Sequence, residues 1–265
     1  MNEVGVVVSR FYEDCKWVEQ LKAPLDVYIY DRVGALDVAD KGKYFYQAKT
    51  HPLNLDLELI KNNGVNLKIL PLEDDFGYET STYSYHLYSQ YDNLNDVTAF
   101  LQGHPQVYMK NIVELLSDPY KFARTRYDAT NPTPRLEDAL RLTITKEQIE
   151  FSYLSDCFAF TSPDGDYGWK NVRDDYTKAP FWFFLKNMPG WAENKADLKE
   201  IKPFIFGAGN QFAVNKKLVL RHDPSYYKRI HYFVKSYMDE SPDRPEWQQK
   251  NQGPNIMEAT WQFVF

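Results

Sequence analysis

The chain is short of cysteine. It has two, Cys15 and Cys157, and neither sits in a Cys-x-x-Cys pair. That excludes a zinc-ribbon spacing and a disulfide framework, and a reducing, cytoplasmic compartment is the simplest expectation. Long apolar runs are missing as well. No window approaches the ~18 apolar residues that cross a membrane as a helix, so no membrane span is expected. The opening MNEVGVVVSRFYED lacks the basic region and the long apolar core of a secretory leader. Positive charge is in deficit, with 31 Lys and Arg against 37 Asp and Glu for a net charge of −6. A chain-wide basic surface for nucleic acid is thereby excluded, and only a local groove could serve. Lys216, Lys217, Arg221, Lys228 and Arg229 would have to share one face to make it. There is no internal repeat, low-complexity tract, P-loop or nucleophile elbow.

Aromatic rings are abundant instead. Tyr, Phe and Trp make up 16% of the 265 residues, with 20 Tyr, 17 Phe and 6 Trp. Tyr and Trp pair a flat apolar face with one polar handle, which suits sugars, bases and interfaces as well as a ring-filled core. A chain of this length can bury a large core without staples.

Local patterns place an α/β fold at the start. VGVVVSR (Val4–Arg10) reads as a strand buried on both faces. YEDCKWVEQLK then fits a helix, and LDVYIYDR (Leu25–Arg32) a second strand. Strand, helix and strand within about thirty residues make a βαβ unit. VNLKILPL is a third strand, closed by Pro71. TSTYSYHLYSQYDNL alternates like a strand, but Tyr83, Leu87 and Tyr91 recur at a spacing of four, so a helix capped by Thr80 or Ser81 is expected. VTAFLQ is the fourth strand, ending in Gln102-Gly103-His104-Pro105. From Pro105 to Pro203 prolines, glycines and aromatics are dense and periodicity is poor, which reads as a long elaboration. Strand texture resumes around the Gly-Ala-Gly turn of Phe204–Leu220. PSYYKRIHYFVKSYM is an amphipathic helix, and NIMEATWQFVF closes the chain as a helix or helix-strand.

VVVSRFYEDCKWV, VYIYDR, FGYETSTYSYHLYSQYDNLNDVTAFLQGHP and MEATWQFVF, in this order and spacing, resemble an uncharacterised family defined only as a domain of unknown function. Its pattern is V-x-x-S-x-x-x-E-D-x-x-W, a G-x-E helix, a strand ending F-L-x-x-H and a closing E-x-x-W segment. That family is similar to the GT-A nucleotide-sugar glycosyltransferases. The likeness is good from Val4 to about Met109, moderate from Phe204 to Phe265, and slight between. It implies one domain with a GT-A-like, Rossmann-related mixed sheet flanked by helices. Residues 1–109 would be its nucleotide-binding half, 110–203 an aromatic-rich insertion or acceptor region, and 204–265 the rest of the core.

GT-A enzymes usually end the fourth strand in Asp-x-Asp, which holds a divalent metal on the donor diphosphate. Gln102-Gly103-His104 stands there instead. An amide and an imidazole suit Mg²⁺ poorly. His104 suits a softer ion such as Mn²⁺, and Arg, Lys and His can neutralise a diphosphate without metal.

In an α/β sheet, ligands bind beyond the carboxyl ends of the strands. The expected donor-binding residues are therefore Ser9, Arg10, Asp31, Arg32, Gln102 and Gly103, with Glu79 from the following helix. Ser9 can donate to a base or phosphate. Arg10 and Arg32 fit phosphate oxygens, Asp31 fits a ribose hydroxyl, and Gly103 permits close backbone approach. Gly207, Gly209 and Asn210 correspond to a small-residue turn that in GT-A folds lies beneath donor and acceptor. A dinucleotide loop is rejected at that turn, because it lacks the third glycine and a following βαβ unit. Asp164 and Asp166 form the one literal Asp-x-Asp, in a turn-like setting that also explains them. Trp169 and Trp182 are acceptor-platform candidates. His104, Asp223 and Glu258 are the catalytic candidates. Glu258, from the closing pattern, is favoured as the carboxylate that takes the acceptor's proton. The expected activity is sugar transfer from a nucleotide-diphosphate donor to a glycan or a hydroxymethylated DNA base. A non-catalytic carbohydrate-binding or interaction protein on a GT-A scaffold is the alternative.

Overall fold

The computed structural model describes residues 2–11, 13–31, 53–72, 78–118, 151–155, 158–161, 204–207, 209–239, 257, 261, 264 and 265. It is a mixed α/β structure. A six-stranded sheet has the order β3-β2-β1-β4-β8-β5, built from β1 (Val4–Arg10), β2 (Leu25–Asp31), β3 (Val65–Pro71), β4 (Val97–Gln102), β5 (Phe151–Tyr153) and β8 (Phe212–Asn215). The first four are parallel. β8 runs antiparallel to both β4 and β5. A separate two-stranded ladder pairs β6 (Phe158–Thr161) with β7 (Phe204–Gly207). The region between 110 and 203 thus contributes a strand to the main sheet, β5, which the poor local periodicity there did not reveal.

β1 is central, and all seven of its residues are buried. A strand flanked by parallel neighbours and covered on both faces has no solvent side, so its sequence runs apolar without alternation. Val4, Val6 and Val8, with Val27, Ile29, Ala99 and Leu101, face Trp17, Val18, Ile60, Ile112 and Leu116. Those covering residues come from the 3-10 turn Lys16–Gln20, helix α1 (Leu57–Asn62) and helix α3 (Ile112–Leu116). The expected α-helix after β1 is this single 3-10 turn, entered through Cys15 at a left-handed φ of 54°. The other face of the sheet carries Val7, Tyr28, Tyr30, Phe100 and Phe212 beneath helix α2 (Tyr78–Ser89) and helix α5 (Pro224–Asp239). Met257, Trp261 and Val264, in helical conformation, complete that cover together with Phe265.

α2 resolves the ambiguous stretch as a helix. It already starts at Tyr78, so Thr80 and Ser81 lie inside it and are buried rather than capping it. Its hydroxyls face inward. Ser84 Oγ donates to the Thr80 carbonyl at 2.7 Å and lies 3.0 Å from Nδ1 of His231 on α5. A helix buried nearly all round loses its amphipathic stripe, which is why its period was hard to read. α5 shows the expected two-faced pattern, burying Tyr226, Tyr227, Ile230 and His231 while exposing Ser225, Lys228 and Arg229. It runs antiparallel to α2. His231 meets Ser84 near mid-helix, and the Tyr91 hydroxyl donates to the His222 carbonyl at 2.5 Å just past the end of α2. Helix α4 (Lys216–Val219) links β8 to α5.

At the amino edge of the sheet, Asp26 accepts from the Asn2 backbone N–H (2.9 Å) and from the side-chain amides of Asn2 (3.1 Å), Asn66 (2.8 Å) and Asn95 (2.7 Å). Burial alone would raise its pKa, but these donors and the charge of Lys68 outweigh it and hold the carboxyl below the usual range.

His86 on α2 lies against Tyr28, Tyr30 and Phe100, with Nδ1 3.1 Å from the Tyr30 hydroxyl. Burial, then the charge of Lys68, pushes its pKa down to about 3. Between that value and the unfolded value near ~6.5, the unfolded chain holds a proton that the folded one refuses. Stability from this residue is therefore complete above about pH 6.5 and falls by about 1.4 kcal/mol per pH unit below it. Chemical denaturation at pH 5.5 and 4.5 should show that loss, and His86→Gln should flatten the slope. An unchanged slope in the variant would exclude this assignment.

Among the described residues no helix is long and apolar enough to cross a membrane.

Candidate functional site

From β1 the chain builds outward to β2 and β3, then returns to the other side of β1 as β4. Connections leave in opposite directions at the β1/β4 boundary, which is the position where open α/β sheets place their ligands. Ser9 is in register with Gln102, and Arg10 with Asp31. Three of the expected strand ends therefore meet at one edge.

The same edge receives two more segments. β8 starts beside the end of β4, with Phe212 paired to Phe100, so the turn before β8 arrives at the tips. Gly209 (φ 92°) and Asn210 (φ 53°) both take left-handed backbone there. A Cβ on Gly209 would fall on the Tyr108 ring, so the position is closed to other residues twice over. Asn210 Nδ2 donates to Thr80 Oγ1 at 3.4 Å, and Ser9 Oγ lies 2.9 Å from Thr82 Oγ1. These contacts tie the turn and β1 to the first turns of α2, where Glu79 sits half-buried. Gln211 Nε2 donates to the carbonyls of Pro105 (3.3 Å) and Leu154 (3.2 Å). The structure therefore brings Ser9, Arg10, Asp31, Glu79, Gln102, Gly103, His104, Gly209 and Asn210 to a single edge.

Several of these groups are engaged within the fold. Arg10 is almost wholly buried. Its Nη1 pairs with Asp31 Oδ1 at 2.6 Å and its Nε donates to the Glu13 carbonyl at 2.8 Å. The Asp31 side chain retains 30% exposure. Gly103 is explained by packing: a Cβ there would fall on the carboxylate of Glu13. That carboxylate accepts from the Phe11 N–H at 2.8 Å. The Gly103 carbonyl accepts from Trp17 Nε1 at 2.9 Å, with the Cys15 thiol at 3.6 Å. Burial, reinforced by Glu13, pushes the Cys15 thiol well above its ordinary pKa, so it stays protonated and unreactive. Gln102 is half-buried and His104 is exposed.

Three amide oxygens at this edge lack hydrogen-bond partners while buried: Gln106 Oε1, Asn210 Oδ1 and Gln211 Oε1. Asn210 is only 3% exposed. Orphaned acceptors of this kind are uncommon in folded proteins and carry a desolvation cost.

Asp223 is not part of the cluster. It accepts from the Tyr226 N–H at 3.1 Å as the cap of α5. The neighbouring His222 carbonyl is bound by Tyr91, at the edge opposite the strand tips. A hydrogen bond from Ser225, together with nearby backbone N–H groups, holds its pKa below the usual carboxylate value. Gly207 ends β7 in the second ladder. Arg32, Asp164, Asp166, Trp169, Trp182 and Glu258 lie outside the described residues.

Among the described residues, no three His, Cys, Asp or Glu side chains converge as a metal cluster would require. At the tip of β4 itself, the amide of Gln102 and the imidazole of His104 are poor ligands for a hard divalent cation.

The pairings that sequence reasoning missed are Glu13 against Gly103, Trp17 on the Gly103 carbonyl, Thr82 with Ser9, and Tyr108 beneath Gly209. The E-D-x-x-W spacing, Glu13 to Trp17, was the available signal for the first two. No protein-family model matches the chain, and comparison with curated proteins finds no match.

Proposed function

We propose that the protein is a nucleotide-sugar-dependent glycosyltransferase on a GT-A-like scaffold. The observation that carries this reading is the gathering of polar groups from five chain segments beyond the parallel strand tips at the β1/β4 boundary. The antiparallel β8, delivering Gly209 and Asn210 to the same edge, supports it. The orphaned amide oxygens of Gln106, Asn210 and Gln211 support a ligand rich in hydroxyl donors, as a sugar is.

In this reading Ser9, Asp31 and Glu79 contact the nucleoside and donor sugar, with Arg10 holding Asp31 in place. Gln102 and His104 meet the diphosphate, aided by Arg32, with no metal required. The acceptor is a hydroxyl on a glycan or on a hydroxymethylated DNA base. Its oxygen bonds to the anomeric carbon as the bond to the diphosphate breaks. The nucleoside diphosphate leaves with the electron pair, and a carboxylate, assigned to Glu258, takes the acceptor's proton. Asp223 is not given that role, because it caps α5 at the far edge.

Thermal unfolding with a panel of nucleotides and nucleotide sugars, with and without Mn²⁺, tests this directly. A ligand present at ~100 times its Kd should stabilise by about 2.7 kcal/mol, which is about 5–10 °C for a chain of this size. The absence of a shift with every member would overturn the proposal. The Gln102-Gly103-His104 tip, with no paired carboxylates, favours one second reading, a carbohydrate-binding protein without catalysis. Binding without hydrolysis or transfer across many acceptors would select it.

A further inference from the structure

A second surface lies away from the strand tips. A groove of about 480 Å³ runs over α5, lined by Ser225, Lys228, Arg229, Tyr232 and Phe233. These five recur at the i, i+3, i+4, i+7, i+8 spacing that puts residues on one helix face. It is the outward face, since Tyr226, Tyr227, Ile230 and His231 turn inward. In an ordinary surface helix such a face carries mixed charge. Here Lys228 and Arg229 stand with no acidic partner among the lining residues, and the Tyr232 ring is 41% exposed beside them. Arg221 lies close by, for after burial it and Arg229 depress the pKa of His222, against the opposing charge of Asp223 at the start of the helix. Residues 216–233 hold five Lys or Arg and one Asp, within a chain of net charge −6. Lys228 and Arg229 make this face cationic on an acidic protein, and so complementary to a local polyanion.

We infer that the outward face of α5 binds a single-stranded nucleic acid. Lys228 and Arg229 take backbone phosphates, and Tyr232, one turn beyond Lys228, offers a ring on which a base stacks. The inference stands apart from the glycosyltransferase reading, because it is read by binding alone.

Fluorescence anisotropy with a short labelled oligodeoxythymidylate provides the test. Binding is expected in the range of about 1–100 µM, as for sequence-independent contacts. Neutralising two phosphates should weaken it about sevenfold between about 50 and 200 mM salt. The K228E/R229E variant should bind at least tenfold more weakly and lose that salt dependence. Tyr232→Ala should weaken binding about fivefold without changing the slope. All three positions are solvent-facing, so unchanged thermal unfolding should confirm that the variants fold. Failure of the wild type to bind, or variants that bind like it, would overturn the inference. So would equal affinity for inorganic polyphosphate with Tyr232→Ala silent, or tighter binding to vesicles of anionic phospholipid. None of these outcomes bears on the nucleotide-sugar shift.

Discussion

Phe212→Ala is expected to destabilise the protein by about 4 kcal/mol, the largest effect among the substitutions considered. Phe212 is fully buried on β8, at the centre of a ring cluster. Its centroid lies 4.9 Å from Phe100 and 5.2 Å from Phe151, both stacked, and 5.1 Å from Trp261, 5.6 Å from Tyr83 and 5.8 Å from Phe265. Those neighbours come from α2, β4, β5 and the chain end. Fixed from four sides, they cannot collapse into the space left by the ring, so the cavity term adds to the lost transfer free energy. For a chain of this size the midpoint of thermal unfolding should fall by about 10 °C. Phe212→Leu, which keeps most of the volume, should cost much less. A fall of only one or two degrees for the alanine variant would mean that β8 is not seated as described. Because Phe212 follows the Gly209–Gln211 turn directly, ligand binding at the strand tips should weaken in the same variant.

Asp31→Ala is expected to cost about 3 kcal/mol, the low end of the range for breaking a buried ion pair. The low end applies because Asp31 is partly exposed while Arg10 is not. The loss arises chiefly from what remains. Arg10 keeps its bond to the Glu13 carbonyl but loses its carboxylate in a place with little access to water. Replacing both partners with apolar residues, as in Arg10→Met with Asp31→Leu, should recover much of the stability, since a well-packed apolar pair is often as stable as the ions. Urea denaturation of the single and double variants measures the difference. A double variant no more stable than Asp31→Ala would show that the two residues act independently.

The inner parallel strands β1, β2 and β4 were legible in the sequence because they are buried on both faces. Val4–Arg10 and Val97–Gln102 read as unbroken apolar runs and end where the sequence placed them. The convergence of Ser9, Asp31 and Gln102 followed from strand order, since parallel strands send their carboxyl ends to one edge. What the sequence did not reveal depends on contacts between distant residues. Nothing local marks Arg10 as an inward-facing cation, because its partner is twenty-one positions away. Gly103 looked open to a ligand, yet Glu13 stands where its Cβ would be. β5 is three residues long and takes its identity from β8, so no periodicity could announce it. Thr80 and Ser81 looked like caps because hydroxyls at helix starts usually are. Here they are drawn inside by the packing of α2 against β1, β8 and α5.

The Asp26 clasp at the amino edge has a geometrical consequence for the opposite edge. Its four residues stand at or just before the starts of β1, β2, β3 and β4, so one carboxylate serves as a common datum for all four parallel strands. Sliding any one of them by a single residue would pull an amide off that carboxylate and turn its side chains to the wrong face. Strands of six or seven residues rise about 20 Å from datum to tip. The heights at which Ser9, Asp31 and Gln102 stand beside one another are thus gauged from the far side of the sheet, by a carboxylate at the opposite strand ends.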